Sequence, residues 1–212
     1  MTFFGYDITQ TLFVGKHNVL VEGAGDLLYL TWFSQELKAR GREGLDRRWR
    51  IAPTGGIDKV ASFLALFGGN KLEVAVLTDF RRGDKNKVHD LKTRLLRDGR
   101  VFTADEYAGQ VEADIEDIIG RANYVDLVNK CYELGPMCRV PAAKPNGASQ
   151  RALKEVEAHF ATLPPGAPSF DHYAPAEYLV RQGGKLRKVL PDLEGALDRF
   201  ERLFRDLNQL LA

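Results

Sequence analysis

Six carboxylates in this chain have the type and spacing to do chemistry. Glu22 and Asp26 stand four residues apart in VEGAGD, with Gly23 and Gly25 between them. Glycines there let the backbone turn sharply and let a ligand come close to the main chain. Asp79 falls near the end of KLEVAVLTDF, a nearly all-apolar run. An acid in that position is costly unless it faces solvent, a metal ion or a partner. Asp114, Glu116 and Asp117 form a second acidic group within EADIED, residues 112–117. If that stretch is extended, Asp114 and Glu116 point to one side. If it opens a helix, Glu116 and Asp117 are ordinary first-turn acids. Hard divalent cations such as magnesium prefer oxygen ligands, usually one or two carboxylates with water and substrate phosphate. Two such ions would stabilise both the attacking and the leaving oxygen in phosphodiester cleavage.

These acids need elements to position them. HNVLVEG, at 17–23, reads as a buried strand, and DLLYLTWFSQELKAR as a helix with Leu27, Leu30, Phe33 and Leu37 on one face. Asp26 sits in that helix's first turn, where the dipole favours a negative charge. WRIAPTGG, at 49–56, reads as a second strand ending in Gly55-Gly56, and IDKVASFLALFGG as a helix with a glycine stop. KLEVAVLTDF, at 71–80, is the clearest strand; KVHDLKTRLLRDGR reads as a helix and RVFTADEYA, at 100–108, as a strand and loop. Strands and helices alternate at βαβ spacing through about residue 110, which predicts an α/β domain with an open, mostly parallel sheet flanked by helices. Ligands of such sheets bind beyond the carboxyl ends of the strands, where Glu22 and Asp79 fall.

After DIEDIIG the character changes. Residues 118–160 read as helical with a loop at KPNGAS, and LPPGAPSFDHYAP breaks the chain. From Leu186 to Ala212 the pattern is one or two amphipathic helices interrupted at Pro191. The expected division is an α/β domain over 1–120 and a smaller helical domain over 121–212. The last stripe, Leu193, Leu197, Phe200, Leu203, Phe204 and Leu207, reads as a docking surface for the α/β domain, with dimerisation as a second use.

Composition sets outer bounds. With 212 residues, 44% of them hydrophobic, the chain can bury a core without disulfides. Its two cysteines, Cys131 and Cys138, lack zinc-site spacing and read as reduced thiols of a cytoplasmic protein. No stretch approaches a membrane span, and MTFFGYDITQ lacks the basic and apolar regions expected of a signal peptide. Net charge is +1, yet basic residues cluster at Arg40, Arg42, Arg47, Arg48 and Arg50, at Arg81, Arg82, Lys85 and Lys87, and at Arg181, Lys185, Arg187 and Lys188. Basic patches around an acidic pocket suit a protein that holds a polyanion near metal ions; solvated helix faces are the plainer reading of each cluster alone.

VEGAGD at 21–26 and VLTDF at 76–80 resemble the two signature segments of a Toprim domain. The ordered set FGYDITQTLFVGKHNVLVEGAGDLLYL, APTGGIDKVASFLALF, KLEVAVLTDF and ADIEDII resembles the Toprim region of the OLD (overcoming lysogenization defect) nucleases over about the first 120 residues. HYAPAEYLVRQGGKLRKVLPDLEGALDRFERLF is similar to the end of such proteins. The resemblance implies a Rossmann-like Toprim fold and an endonuclease acting on DNA with two magnesium or manganese ions. It also implies an ABC-type ATPase domain ahead of this segment, through which the full-length protein would oligomerise. This chain has no GxxxxGK[ST] loop and is expected to show no ATPase activity.

Carried over by residue, Glu22 is the glutamate assigned to metal binding or base chemistry. Asp26 and Asp79 are implied metal ligands, and Glu116, with Asp114 or Asp117, completes the second metal position. Lys185, in QGGKLRK, is the candidate for a lysine that reaches the scissile phosphate; the plainer reading is a solvated loop lysine. The chain departs from the family at Asp79-Phe80-Arg81, where many Toprim domains have Asp-x-Asp. Asp84 or the second acidic group would have to take that role.

The remaining residues carry weaker readings. The four histidines show no zincin spacing; His172, in a Pro-rich loop, has a structural reading and a substrate-contacting one. Thr54, Gly55 and Gly56 are either a phosphate-binding turn or a plain βα turn. Trp32 and Trp49 read as packing residues. The alternatives to a nuclease are a topoisomerase- or primase-type Toprim enzyme and a non-catalytic nucleic-acid-binding or regulatory module.

Overall fold

The computed structural model describes residues 15–67, 72–96, 99–147, 149–186 and 190–211. Residues 4–14, the first part of the FGYDITQTLFVGKHNVLVEGAGDLLYL segment, therefore lie outside the described residues, as do Arg187 and Lys188 of the third basic cluster.

The described chain is α/β, with four strands in one all-parallel sheet. The strands are β1 (His17–Val21), β2 (Trp49–Pro53), β3 (Glu73–Thr78) and β4 (Val101–Thr103), in the spatial order β2-β1-β3-β4. Val19 pairs with Ile51 on one side and with Ala75 on the other, so β1 is central. Both faces of the sheet are covered, which is why β1 and β3 read as unbroken apolar runs and not as alternating ones. Val19, Val21, Ala75 and Leu77 face the larger core, whereas Leu20, Ala52, Val74 and Val76 face a smaller one.

Helix α1 (Ala24–Ala39) covers the first face. Its predicted stripe is buried throughout: Leu27 is 8% exposed, and Leu30, Phe33 and Leu37 are fully buried. Helix α2 (Ile57–Phe67) and α3 (Lys85–Asp90) lie on the second face, contributing Val60 and Val88. The segment after β3 is less regular than a single predicted helix. A 3-10 turn (Arg82–Asp84) precedes α3 and a π turn (Leu91–Leu95) follows it. The bond from Leu96 N to Leu91 O closes that wide turn and places both leucines in the second core.

The sequence after β4 is helical and not a loop. Thr103 and Glu106 form a reciprocal capping box for α4 (Ala104–Ala108), the arrangement that a Thr-x-x-Glu string encodes. Further on come α5 (Ile115–Ile119), α6 (Arg121–Cys131), α7 (Ala152–Phe160), α8 (Ala174–Leu186) and α9 (Leu193–Gln209). Helix α8 begins inside the Pro-rich segment, with Pro175 in its first turn, where proline's missing N–H costs no helical bond.

Helices α8 and α9 pack on α1. The Phe33 and Phe200 rings stack at 4.0 Å between centroids, and the α9 stripe from Leu193 to Leu207 is buried in the same core as the sheet. That core draws residues from both sides of Gly120. A separate cluster, with Tyr124, Val128, Val156 and Phe160, joins α6 to α7. Trp32 and Trp49 are 7% and 4% exposed, as packing residues should be. No helix among the described residues is long and apolar enough to cross a membrane.

Candidate functional site

Glu22 follows the last residue of β1, and Asp79 follows the last residue of β3. Because β1 and β3 are parallel neighbours, both acids emerge at the same, carboxyl-terminal end of the sheet. They are joined through Glu22 Oε1, which accepts from the Thr78 hydroxyl at 2.6 Å and from the Asp79 backbone N–H at 3.1 Å. Asp26 lies at the start of α1, where its Oδ2 accepts from the Gly23 N–H at 2.8 Å. That bond satisfies a helix-terminal donor and fixes the turn.

The second acidic group reaches the first through one short pairing. Phe80 and Ala113 form an isolated antiparallel bridge, with N–H···O distances of 2.9 and 3.0 Å. It draws the EADIED segment alongside the end of β3. The helical alternative holds there: Asp114 caps α5, and Asp117 Oδ2 accepts from the Asp114 N–H at 3.0 Å. Asp117 Oδ1 also accepts from the Ala152 N–H at 2.9 Å, fastening α5 to the start of α7.

Glu22, Asp26, Asp79 and Glu116 line one cavity of about 500 Å³. Gly55 and Gly56 line it too, with φ of +85° and +118°, a backbone conformation that favours glycine. The Thr54 and Gly55 N–H groups are already engaged, bonding to Val21 O and Glu22 O at 2.8 and 2.9 Å. That geometry fits a turn that braces β1. Arg81, Arg151 and Lys154 bring positive charge to the cavity lining, and His172 and Tyr173 complete its rim.

The acids raise one another's proton affinity. Burial pushes the Asp26 carboxyl up to about 7; the Gly23 N–H works against the shift and the charge of Glu22 adds to it. Burial also holds Asp79 well above the usual carboxylate range, reinforced by Asp114, Glu22, Asp26 and Glu116. Glu116 is raised by burial, then by Asp114 and Asp26. Asp117 goes up to about 6, again chiefly through burial. Like charges crowded in a poorly solvated pocket favour a bound proton or a bound cation.

Arg151 is a site residue that sequence reasoning misses. It lies on the cavity wall, and its Nε reaches both Asp114 oxygens, at 3.0 and 2.9 Å, while Nη2 bonds Asp114 Oδ1. The Arg151 side chain is 7% exposed and that of Asp114 fully buried. Burial works against the guanidinium's charge, but its bonds to Asp114 outweigh that and raise its pKa. Arg151 follows a loop, 37 residues from Asp114, so no local spacing marks it. Thr78 escapes sequence reasoning too; a hydroxyl next to a strand-end acid is the signal that would find it.

Lys185 lies apart from this cluster. It is exposed in the last turn of α8 and is not among the cavity-lining residues. Tyr173, just before α8, does line the cavity, and at 1.5 Å per residue Lys185 stands roughly 18 Å further along the helix. The first basic cluster is largely spent on internal pairs, with Arg42 bound to Glu201 and Asp198, Arg40 to Glu36, and Arg48 to Asp46.

Among the described residues, no group of three or more His, Cys, Asp or Glu side chains converges closely enough to hold an ion as it stands. The oxygen-only donors around the cavity do fit a hard cation, since magnesium needs only one or two direct carboxylates. The chain matches no protein-family model, no curated protein and no solved structure.

Proposed function

We propose that this chain is the catalytic part of a metal-dependent DNA endonuclease of Toprim type, resembling the OLD nucleases. The observation that carries the reading is the pairing of Glu22 with Asp79 at adjacent parallel strand ends, on a cavity shared with Asp26 and Glu116. Asp79 and Asp26 would hold a magnesium or manganese ion beside Glu22. When bound, the ion would supply charge to the attacking and leaving oxygens of a phosphodiester.

The chain's own groups then have distinct tasks. Glu22 Oε1 is committed to Thr78 and Asp79, which leaves Oε2 to take the proton of an attacking water. The water oxygen bonds to phosphorus as the ester P–O bond breaks, and the departing oxygen takes a proton from solvent. Arg81 and Lys154 on the cavity lining would hold flanking phosphates. In the full-length protein, an ABC-type ATPase domain would precede this segment.

Two observations favour a second reading, a non-catalytic nucleic-acid-binding module. Asp114 is locked to Arg151, and Asp79 is followed by Phe80-Arg81 in place of a second acid. Incubation with supercoiled plasmid and magnesium, manganese or calcium separates the two. Cleavage that needs the cation and vanishes in E22A and D79A supports the nuclease. Cleavage surviving both changes removes it, and DNA binding without cleavage under any cation favours the module.

A further inference from the structure

We propose that the Arg151 guanidinium is the second cation of this site, so that each chain takes one divalent ion and not two. The proposal rests on the nuclease reading and narrows it. Two-ion phosphodiester chemistry needs a second ion held by its own carboxylates. The candidates for that position are Glu116 with Asp114 or Asp117; both Asp117 oxygens are taken by backbone N–H groups, and Arg81 stands where a second acid after Asp79 would be.

Asp114 is not available for an ion. Both of its oxygens accept from Arg151, which grips them through Nε and Nη2. An ion at Asp114 would set a second positive charge against a buried guanidinium already paired with that carboxylate, an unfavourable arrangement in a poorly solvated wall. The pair is also fixed from behind. The Ala152 N–H is held by Asp117, and Arg151 O accepts from Glu155 N at 3.1 Å at the start of α7.

The guanidinium is placed to do what a second ion would do. Arg151 lines the same cavity as Glu22, Asp26, Asp79 and Glu116. Among the described residues, its Nη1 meets no acceptor, which leaves one donor of a permanently charged group on the cavity wall unengaged by the protein. A fixed cation that faces developing negative charge needs no assembly at the moment of reaction.

Calorimetric titration of the full chain with manganese tests the count, alongside plasmid cleavage. One ion per chain is expected. Because R151M alone strands the buried Asp114 charge and endangers folding, the informative variant is D114N/R151M, with folding checked by circular dichroism. It is expected to bind one ion within about threefold of wild-type affinity and to cleave at least 100-fold more slowly, with R151K recovering part of the loss. Two ions bound to the wild type, with cleavage intact, would overturn the proposal and leave the nuclease reading standing. Cleavage by D114N/R151M within threefold of wild type would overturn it equally. A wild-type chain that binds no ion and cuts nothing would remove the nuclease reading, and this proposal with it.

Discussion

Glu22 and Thr78 tie together the carboxyl ends of two neighbouring strands: the Thr78 hydroxyl donates to Glu22 Oε1 at 2.6 Å, and the next residue, Asp79, donates its N–H to the same oxygen. Thr78 is 2% exposed, so no water replaces that donor easily. The bond sets which Glu22 oxygen faces the cavity and how far Glu22 stands from the Asp79 carboxyl.

Thr78→Val keeps the volume and removes the donor. A hydrogen bond to a charged group contributes about 1.5–3 kcal/mol, so the melting temperature should fall by a few degrees. Groups that orient a metal-binding carboxylate typically matter 10- to 100-fold, and manganese affinity should weaken by about tenfold or more. Calorimetric titration reads the second effect; unchanged affinity would show that Thr78 serves the fold alone.

The crowded acids predict how stability depends on pH. Asp26 is raised to about 7 and Asp117 to about 6, with Asp79 and Glu116 raised as well. A raised carboxyl binds more protons folded than unfolded, so its contribution is present below about pH 4 and is lost as pH rises through the folded value. Between about pH 4 and 7, this group of acids therefore lowers stability as pH rises. Without divalent cations, the protein should melt higher at pH 5.5 than at pH 8, and Asp26→Asn should shrink the difference. The amide oxygen introduced by that change can still accept from the Gly23 N–H, so the helix start survives. Thermal melts across that range check both; a melting point that climbs from pH 5.5 to 8 would contradict the raised values.

The parts of this site that are legible in the sequence are those fixed by short-range physics. Glu22 and Asp79 can be placed at strand ends because β1 and β3 are buried on both faces and are therefore apolar without a break. The α1 stripe is legible from helical spacing. The sheet order, with β1 between β2 and β3, is not, because pairing depends on contacts across the chain. Asp114 illustrates the limit. Its segment can be read as a strand or as a helix start, and what fixes its place is the Phe80–Ala113 bridge and Arg151, both distant in sequence. Lys185 stands out in the sequence through its two preceding glycines, but both are inside α8, and the lysine is carried to the helix end away from the cavity rim.

Two tyrosines behind the acids carry a test of packing against function. Tyr29 and Tyr124 are fully buried, and their hydroxyls meet no hydrogen-bond partner among the described residues. Tyr29 lies three residues after Asp26 on α1, and after burial the charge of Glu116 is the largest influence on both hydroxyls. A buried hydroxyl without a partner costs roughly 1–3 kcal/mol, so Tyr29→Phe and Tyr124→Phe should leave the melting temperature unchanged or raise it. A fall of several degrees would mean that each hydroxyl is bonded in solution, to a buried water or to Glu116.

The stacked pair of Phe33 and Phe200 predicts the cooperativity of the whole chain. Phe33 belongs to α1, beside the sheet, and Phe200 to α9, near the end of the chain; both are fully buried in one core. If that core links residues on either side of Gly120 energetically, heating should give a single transition seen alike by circular dichroism and calorimetry. Phe200→Ala removes the stack and leaves a cavity, at a cost of about 3–5 kcal/mol. For a chain of this length, that corresponds to a drop of roughly 10 °C or so. The transition should stay single while moving down. Two separate melts, with only one shifted by Phe200→Ala, would instead mean that the sheet and the C-terminal helices unfold as independent units, and that the cavity between Glu22 and His172 joins two separately stable parts.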